Sequence, residues 1–299
     1  IIAVKDGTEI TTEDLIKKLP GFDVNENGKV TFKGSPIGQV LVDGNELFGG
    51  NHKIATQNIA SDMLEGIDMW QNYTNISGSR STALNLKLKD KYKNKINGSI
   101  EGDYGTKNSY YSHLNLFRFG KTGNLAFIWD ANNIVKDPIS FVDFHEMNTI
   151  ENNVNEEGII RREAPSFLNN DGKVKSKDNQ FGAIQYSKSS KTFSISGYSI
   201  FNNTQLSKVL QTRRTAFANQ PLSFSFDETS IEDNQGLFGT TQIKLRKNFN
   251  DNFIYYHFGY KPTKDNFNKR TERFSENDLF FDIEDKIKKQ NLYNFLSWN

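Results

Sequence analysis

The sequence has no cysteine, and no stretch of it is apolar enough for a membrane-spanning helix. Disulfide frameworks and thiolate metal sites are therefore excluded. A spanning helix needs about 20 consecutive, mostly apolar residues, and no such window occurs. The chain opens at Ile1-Ile2-Ala3-Val4 without methionine, which favours a processed or truncated start.

Sequence patterns of known catalytic and metal sites are also missing. There is no Gly-x-Ser-x-Gly elbow and no phosphate-binding Gly-Lys-Ser/Thr loop. His145-Glu146 lacks the second histidine of a zinc helix, and no ligand spacing relates the four histidines, His52, His113, His145 and His257. The net charge of +1 is too small for a nucleic-acid-binding domain. The predicted protein is not an enzyme and has no metal, cofactor or nucleic-acid partner.

Aromatic residues are abundant, with 24 Phe and 11 Tyr, although only 35% of the chain is hydrophobic. This mixture is typical of strands that turn one face to lipid and the other to a watery lumen. A soluble β-rich binding protein remains the alternative. Charge is uneven: residues 1–75 hold six Lys and eleven acidic residues, a net −5, which leaves +6 for the rest. This contrast indicates two parts with different surroundings.

From about residue 95, apolar and polar residues alternate in segments of about ten residues, the length that lets a tilted strand cross a bilayer. Period two places alternate side chains on opposite faces. The residues predicted to face lipid are Ile96, Ile100, Phe193, Ile195, Ile243, Ile254, Tyr256 and Phe258. The residues predicted to face the lumen are Glu101, Asp103, Ser194, Lys244 and His257.

Short and long connections alternate between these segments. The predicted tight turns are residues 120–123, 189–191 and 248–252, and the predicted long loops are 133–179, 203–234 and 262–276. Outer-membrane barrels have short periplasmic turns and longer external loops, so the long loops are expected outside the cell.

The first ninety residues instead predict a mixed sheet with two short helices. Thr11 or Thr12 can cap a helix over residues 13–19, and a second helix is expected near residues 60–66. Asn27-Gly28 suits a tight hairpin turn. Asp23-x-Asn25-x-Asn27-Gly28 also copies the first half of an EF-hand loop, but Gly34 occupies the position of its bidentate Glu, so a hairpin is favoured.

This segment resembles the plug domain of TonB-dependent outer-membrane receptors, in the branch with a carboxypeptidase-regulatory-like N-terminal module. The resemblance is carried by residues 13–22, 27–30, 40–44, 48–50 and 83–89. Its motif residues, to which we assign structural roles, are Leu19, Pro20, Gly21, Asn27, Gly28, Val42, Asp43, Gly44, Gly49, Gly50, Leu84, Asn85 and Leu86. The last three look like the Ile-Asn-Ile-type closing strand of that plug.

The resemblance implies an all-β protein, a transmembrane antiparallel β-barrel with a small α+β plug domain inside. Residues 1–91 would be the plug, and residues 92–299 would supply about nine N-terminal strands of a barrel of about 22. An open barrel edge in lipid is not viable, so the sequence is expected to be a fragment of a longer chain.

The function implied is energised uptake of an unidentified nutrient across the outer membrane. The implied partners are the TonB complex, the lipid bilayer and lipopolysaccharide, and a surface lipoprotein or another envelope subunit is a further candidate. The energy-coupling box would precede Ile1. A non-transporting barrel that acts as a scaffold or docking partner in a surface or secretion complex is the alternative.

Overall fold

The computed structural model describes residues 6–25, 28–138, 174–216, 224–250, 252–274 and 279–298. They form an all-β fold with two short helices, in which an N-terminal segment (residues 6–93) precedes one large antiparallel sheet. No helix within these ranges is long and apolar enough to span a membrane.

Side-chain caps set the start of both helices of the N-terminal segment. In α1 (Thr12–Lys17), Thr11 is the cap: its hydroxyl accepts from the Asp14 amide, and the Asp14 carboxylate accepts from the Thr11 amide at 2.8 Å. In α2 (His52–Asn58), the Asn51 side chain accepts from the amide of Ile54 at 2.9 Å. The helix predicted near residues 60–66 is therefore wrong, since residues 61–63 form a single 3₁₀ turn before the next strand.

Seven strands complete the N-terminal segment and form two sheets. Strands β1, β2 and β3 make a small antiparallel sheet, and the others make a mixed sheet in the order β5-β4-β7-β6, with β4 parallel to β7. The second of these sheets agrees with the mixed sheet predicted for this segment. The strands are β1 (Phe22–Val24), β2 (Val30–Phe32), β3 (Ser35–Pro36), β4 (Gln39–Val42), β5 (Asn45–Glu46), β6 (Leu64–Thr74) and β7 (Arg80–Leu88).

The large sheet is an antiparallel meander in which every strand pairs with its neighbours in sequence. The described residues give it eight strands, where about nine were expected. They are β8 (Ile96–Tyr104), β9 (Tyr110–Arg118), β10 (Asn124–Asn132), β11 (Val174–Ser189), β12 (Phe193–Ala216), β13 (Phe224–Phe249), β14 (Asn252–Phe274) and β15 (Leu279–Trp298).

Three short turns at one end of this sheet lie where they were predicted, after β9, β11 and β13. Residues 105–109 make another short turn, between β8 and β9 at the opposite end. Two of the predicted long loops are wrong. Residues 203–216 and 224–234 continue β12 and β13, and residues 262–274 continue β14, so these strands reach 23 to 26 residues. Within the predicted loop 133–179, β11 begins at Val174, and residues 139–173, with His145, lie outside the described ranges.

The two faces of the sheet differ in burial, as the alternation predicted. We call the face in contact with the N-terminal segment the inner face and the opposite one the outer face. Lys244 and His257 are on the inner face and are 4% and 5% exposed, whereas Ile243 on the outer face is 38% exposed. On β8, at the edge of the sheet, residues of both faces are exposed.

A buried histidine lies at the start of α2. His52 is 5% exposed, and its Nδ1 accepts a hydrogen bond from the Val30 amide at 3.0 Å. Burial, together with the nearby positive charge of Lys29, lowers the pKa of His52 from 6.5 to about 4. The folded segment therefore holds His52 neutral at a pH where the unfolded chain would protonate it.

We expect this histidine to make the N-terminal segment less stable in mild acid. Because the folded pKa lies below the unfolded one, its stabilising contribution is complete above pH 6.5 and is lost as the pH falls towards 4. The loss should approach about 3 kcal/mol. Urea unfolding, followed by Trp70 fluorescence with Trp129 and Trp298 changed to Phe, measures it at each pH. In His52→Asn, which keeps an acceptor for Val30, this pH dependence should disappear; an unchanged slope would contradict the assignment.

Candidate functional site: the interface between the N-terminal segment and the sheet

The C-terminal ends of β4 and β7 meet at a compact turn in the N-terminal segment. Val42 of β4 pairs with Leu86 of β7, and Asp43 and Gly44, with φ of 44° and 79°, make the tight turn into β5. The Asn85 side chain accepts from the Gly44 amide at 2.8 Å, and the Asp43 carboxylate accepts from the Leu88 amide at 3.1 Å. The motif residues Val42, Asp43, Gly44, Leu84, Asn85 and Leu86 are thus brought together around this turn.

The other motif residues shape the segment at separate places. Leu19 is buried after α1, and Gly21, at φ 81°, accepts a backbone hydrogen bond from Lys33 at 2.7 Å. Pro20 lies between them. A side chain on Gly28 would come within 2.8 Å of Cβ of Lys53 in α2. Asn27 lies outside the described residues.

Gly49, within the 3₁₀ turn Phe48–Gly50, is the motif residue that meets the sheet. It adopts φ of 69°, and an added Cβ would lie 3.0 Å from the Tyr198 ring on β12. The Phe48 ring meets the same tyrosine edge-on, with ring centroids 6.4 Å apart. A positive φ and this close approach both favour glycine at position 49.

Gln185 of β11 joins the backbone of the N-terminal segment to the sheet. Its side-chain oxygen accepts from the Phe48 amide, and its side-chain nitrogen donates to the Glu46 carbonyl at 2.6 Å. The Ser187 hydroxyl donates to the same carbonyl at 3.3 Å. Gln185 is 1% exposed, so both of its hydrogen bonds are shielded from water, where an unmade bond is costly.

An apolar belt on the inner face surrounds this contact. Its side chains belong to the same buried hydrophobic cluster as Leu15, Ile54 and Leu84 of the N-terminal segment. The segment and the sheet therefore share one core, rather than meeting only through polar groups. The belt consists of Phe117, Phe119, Ala126, Ile128, Phe181, Ala183, Tyr198, Ile200, Leu206 and Phe238.

Polar groups replace the belt farther from the short turns. The Asp130 carboxylate accepts one hydrogen bond from the Asn132 side chain at 2.9 Å and pairs with His113 at 3.1 Å. Lys177, 1% exposed, forms an ion pair with Asp137 at 2.5 Å. Lys53 of α2 donates to the Asp137 backbone carbonyl at 2.9 Å. The segment after β10 is thereby tied both to the sheet and to the N-terminal segment.

A cleft of about 300 Å³ opens between the two parts at the short-turn end. Glu46 and Tyr73 line it from the N-terminal segment, and Lys191 and Arg246 line it from the sheet. The Arg246 guanidinium carbon lies 3.8 Å from the centre of the Phe253 ring, and its Nε donates to Asn248 at 2.9 Å. The cleft wall is therefore polar and held in place by side-chain contacts.

Sequence reasoning did not single out Gln185, Tyr198, Lys177 or Asp137. The hydrogen bonds of Gln185 join residues 137 and 139 positions apart, and no local pattern carries such a pairing. The usable signal was the alternation itself, which places residue 185 on the face opposite Ile184.

Comparisons with known proteins give a likeness of fold only. No family model and no curated protein matches the chain. Among solved structures, it matches the unliganded ferric citrate transporter FecA at 10% identity and a TM-score of 0.31, with 100% of this chain and 53% of that chain covered. It matches the siderophore receptor PiuA from Acinetobacter baumannii at 11% identity and a TM-score of 0.30, with 97% and 53% covered. The chain thus spans about half the length of these structures.

We expect Gln185→Ala to weaken the contact between the N-terminal segment and the sheet. The change leaves the Phe48 amide without its acceptor and the Glu46 carbonyl without its 2.6 Å donor, and an unsatisfied buried group costs about 1–3 kcal/mol. The N-terminal segment should become accessible to trypsin at a lower urea concentration. Gln180→Ala, on the exposed outer face of the same strand, is the control. Equal shifts in the two variants would show that the Gln185 contact contributes nothing specific.

Proposed function

We propose that this chain is part of a TonB-dependent outer-membrane receptor that takes up a nutrient through a plugged barrel. Residues 1–91 would form the plug, and residues 92–299 would form the first part of the barrel wall. The observation that carries the proposal is the difference between the two faces of the large sheet. Its outer face is apolar over a band of limited height, while its inner face packs on the N-terminal segment.

The apolar band lies next to the short turns and covers about ten residues of each strand. At about 3.3 Å per residue and the tilt of barrel strands, such a band stands about 25 Å tall, the height expected of an outer-membrane barrel. Its outer-face residues are Leu114, Leu116, Leu125, Phe127, Trp129, Ile184, Tyr186, Phe193, Ile195, Phe201, Ile243, Leu245, Ile254, Tyr256, Phe258, Tyr260, Leu292, Leu296 and Trp298.

The inner face supports a plug rather than an open channel. It combines the apolar belt around Phe181 with Gln185 and the Lys177–Asp137 ion pair, and all of these lie against or beside the N-terminal segment. An apolar centre with a polar surround is the make-up of a specific protein interface. A water-filled lumen would need neither the belt nor the shape of Gly49.

The lengths of the strands favour one orientation. Beyond the band, β12, β13 and β14 continue at the end away from the short turns. Outer-membrane barrels extend on the extracellular side and have short turns on the periplasmic side. The extended strand ends would therefore stand outside the cell, and the cleft near Arg246 would face the periplasm.

Cysteine labelling of the full-length protein in intact cells tests this topology. Thr229→Cys, on the extended part of β13, should react with a membrane-impermeant maleimide. Ser190→Cys, in the short turn after β11, should react only after the cells are permeabilised. Labelling of Ser190→Cys alone would reverse the orientation, and labelling of neither in membranes or detergent would remove the outer-membrane assignment.

An arginine substitution in the middle of the apolar band tests whether the band lies in hydrocarbon. Ile243→Arg should destabilise the folded protein in lipid vesicles by about 2–4 kcal/mol, because a charge at the midplane of a barrel wall is costly. Gln211→Arg, on the outer face of β12 beyond the band, should cost about 0–1 kcal/mol. The urea midpoint of refolding into vesicles gives both values, and similar costs for the two would place the band in water.

A further inference from the structure

A second cleft, of about 420 Å³, lies on the outer face of the large sheet, beyond the apolar band. Five neighbouring strands build it from directly paired positions. Asp178, Gln205, Gln235, Asn266 and Lys286 form one row across β11, β12, β13, β14 and β15. Its volume falls within the range of roughly 300–1,000 Å³ that is typical of small-ligand sites.

A second row lies two residues farther from the band. Ser207 pairs with Asp233, and Asp233 pairs with Asn268, again across three strands. Asp233 and Asn268 are exposed. The side chains of both rows are carried by a hydrogen-bonded sheet, so their spacing is set by the strands and not by a loop.

The side chains of this cleft are mainly amides and hydroxyls. An amide offers two donors and an acceptor with two lone pairs, and a hydroxyl offers both roles. Asp178 also accepts a hydrogen bond from the Tyr110 hydroxyl at 3.2 Å, which brings an aromatic ring to the edge of the first row. Neutral donors and acceptors beside two carboxylates, one lysine and a tyrosine suit the hydroxyl groups of an uncharged sugar. A phosphate would meet two carboxylates against the single ammonium group of Lys286, so the net charge disfavours it.

The position of the cleft fits the same ligand. Along β12, Gln205 follows Phe201 of the apolar band by four residues, or about 13 Å of strand. If the band lies in hydrocarbon, the cleft lies at the level of the head groups and sugars of the outer leaflet. On this basis, which rests on the proposed function, we propose that the cleft binds an uncharged saccharide. Its source would be the sugar of a glycolipid in the same leaflet or a free oligosaccharide.

The test uses the detergent-solubilised full-length protein and two probes. The first is a neutral hexose oligosaccharide of the lipopolysaccharide core, free of phosphate and of acidic sugars, measured by calorimetry. The second is a pair of vesicle preparations, one containing lipopolysaccharide with its full core and one containing lipopolysaccharide without core sugars. We expect the oligosaccharide to bind and Gln205→Ala/Gln235→Ala to weaken it at least tenfold. If the vesicles with full-core lipopolysaccharide retain more protein than those without core sugars, the source is the glycolipid. If both preparations retain the protein equally and the oligosaccharide binds, the source is the free sugar.

The matched control is Gln211→Ala/Thr229→Ala, a cross-strand pair on the outer face of the same two strands. It should bind the oligosaccharide as the unchanged protein does. Absence of oligosaccharide binding, or an equal loss in the two double variants, would overturn the inference. The labelling of Thr229→Cys and Ser190→Cys is independent of any sugar. External labelling of Thr229→Cys without saccharide binding would therefore reject the cleft and leave the proposed receptor intact.

Discussion

The large sheet depends on one constraint. Side chains alternate between the inner and the outer face along each strand, and neighbouring strands are paired so that these faces match. A slip of β13 by one residue would turn Lys244 outward and Ile243 inward, and the same slip of β14 would turn His257 outward. A slip of β11 would likewise move Gln185 away from the Phe48 amide, and a slip of β12 would move Tyr198 away from Gly49. The register of the strands therefore sets both the apolar band and the surface on which the N-terminal segment packs.

In the N-terminal segment, the turn between β4 and β5 depends on side chains as well as on backbone pairing. β4 and β5 are too short to hold a turn by pairing alone, and side chains complete it. Asn85 accepts from the Gly44 amide, while Asp43 accepts from the Leu88 amide and lies 3.8 Å from the Lys93 ammonium group. The carboxylate and the amide thus join the turn after β4 to the C-terminal half of β7. This arrangement gives a physical reason for the motif Val42-Asp43-Gly44 to occur with Leu84-Asn85-Leu86.

Sequence alone predicted the parts of the fold in which apolar and polar residues alternate. The faces of β12, β13 and β14 near Phe193, Ile243 and Phe258 follow from period two. The same strands were predicted to end too early, because polar residues predominate on both of their faces beyond the band. Residues 203–216 carry polar or charged residues on both faces, with Leu206, Val209 and Leu210 among them, and such a composition also favours loops. Their strand structure comes from the hydrogen-bonded pairing that continues from the band, which composition does not encode.

The candidate site was less accessible to sequence reasoning for a different reason. The motif residues were identified from a local resemblance, but their partners on the sheet are more than 100 residues away. Gln185 and Tyr198 are ordinary inner-face positions in the sequence, and only the packing of Phe48 and Gly49 distinguishes them. The second helix shows the same limit on a smaller scale. Asn51 is its cap, yet the predicted helix was placed about eight residues later, near residues 60–66.

The extended strand ends raise the question of what keeps their register once the apolar alternation stops. Cross-strand charge pairs supply part of the answer. Glu232 pairs directly with Lys269 and Glu228 with Arg273, with N–O distances of 2.9 and 3.1 Å, and both pairs are on the inner face. Arg213 pairs with Asp227 on the outer face at 2.8 Å. Each such pair contributes about 0.2–1 kcal/mol, and a one-residue slip would separate every partner. Opposite charges on both faces thus maintain, beyond the apolar band, the register that apolar burial fixes nearer the short turns of the same strands.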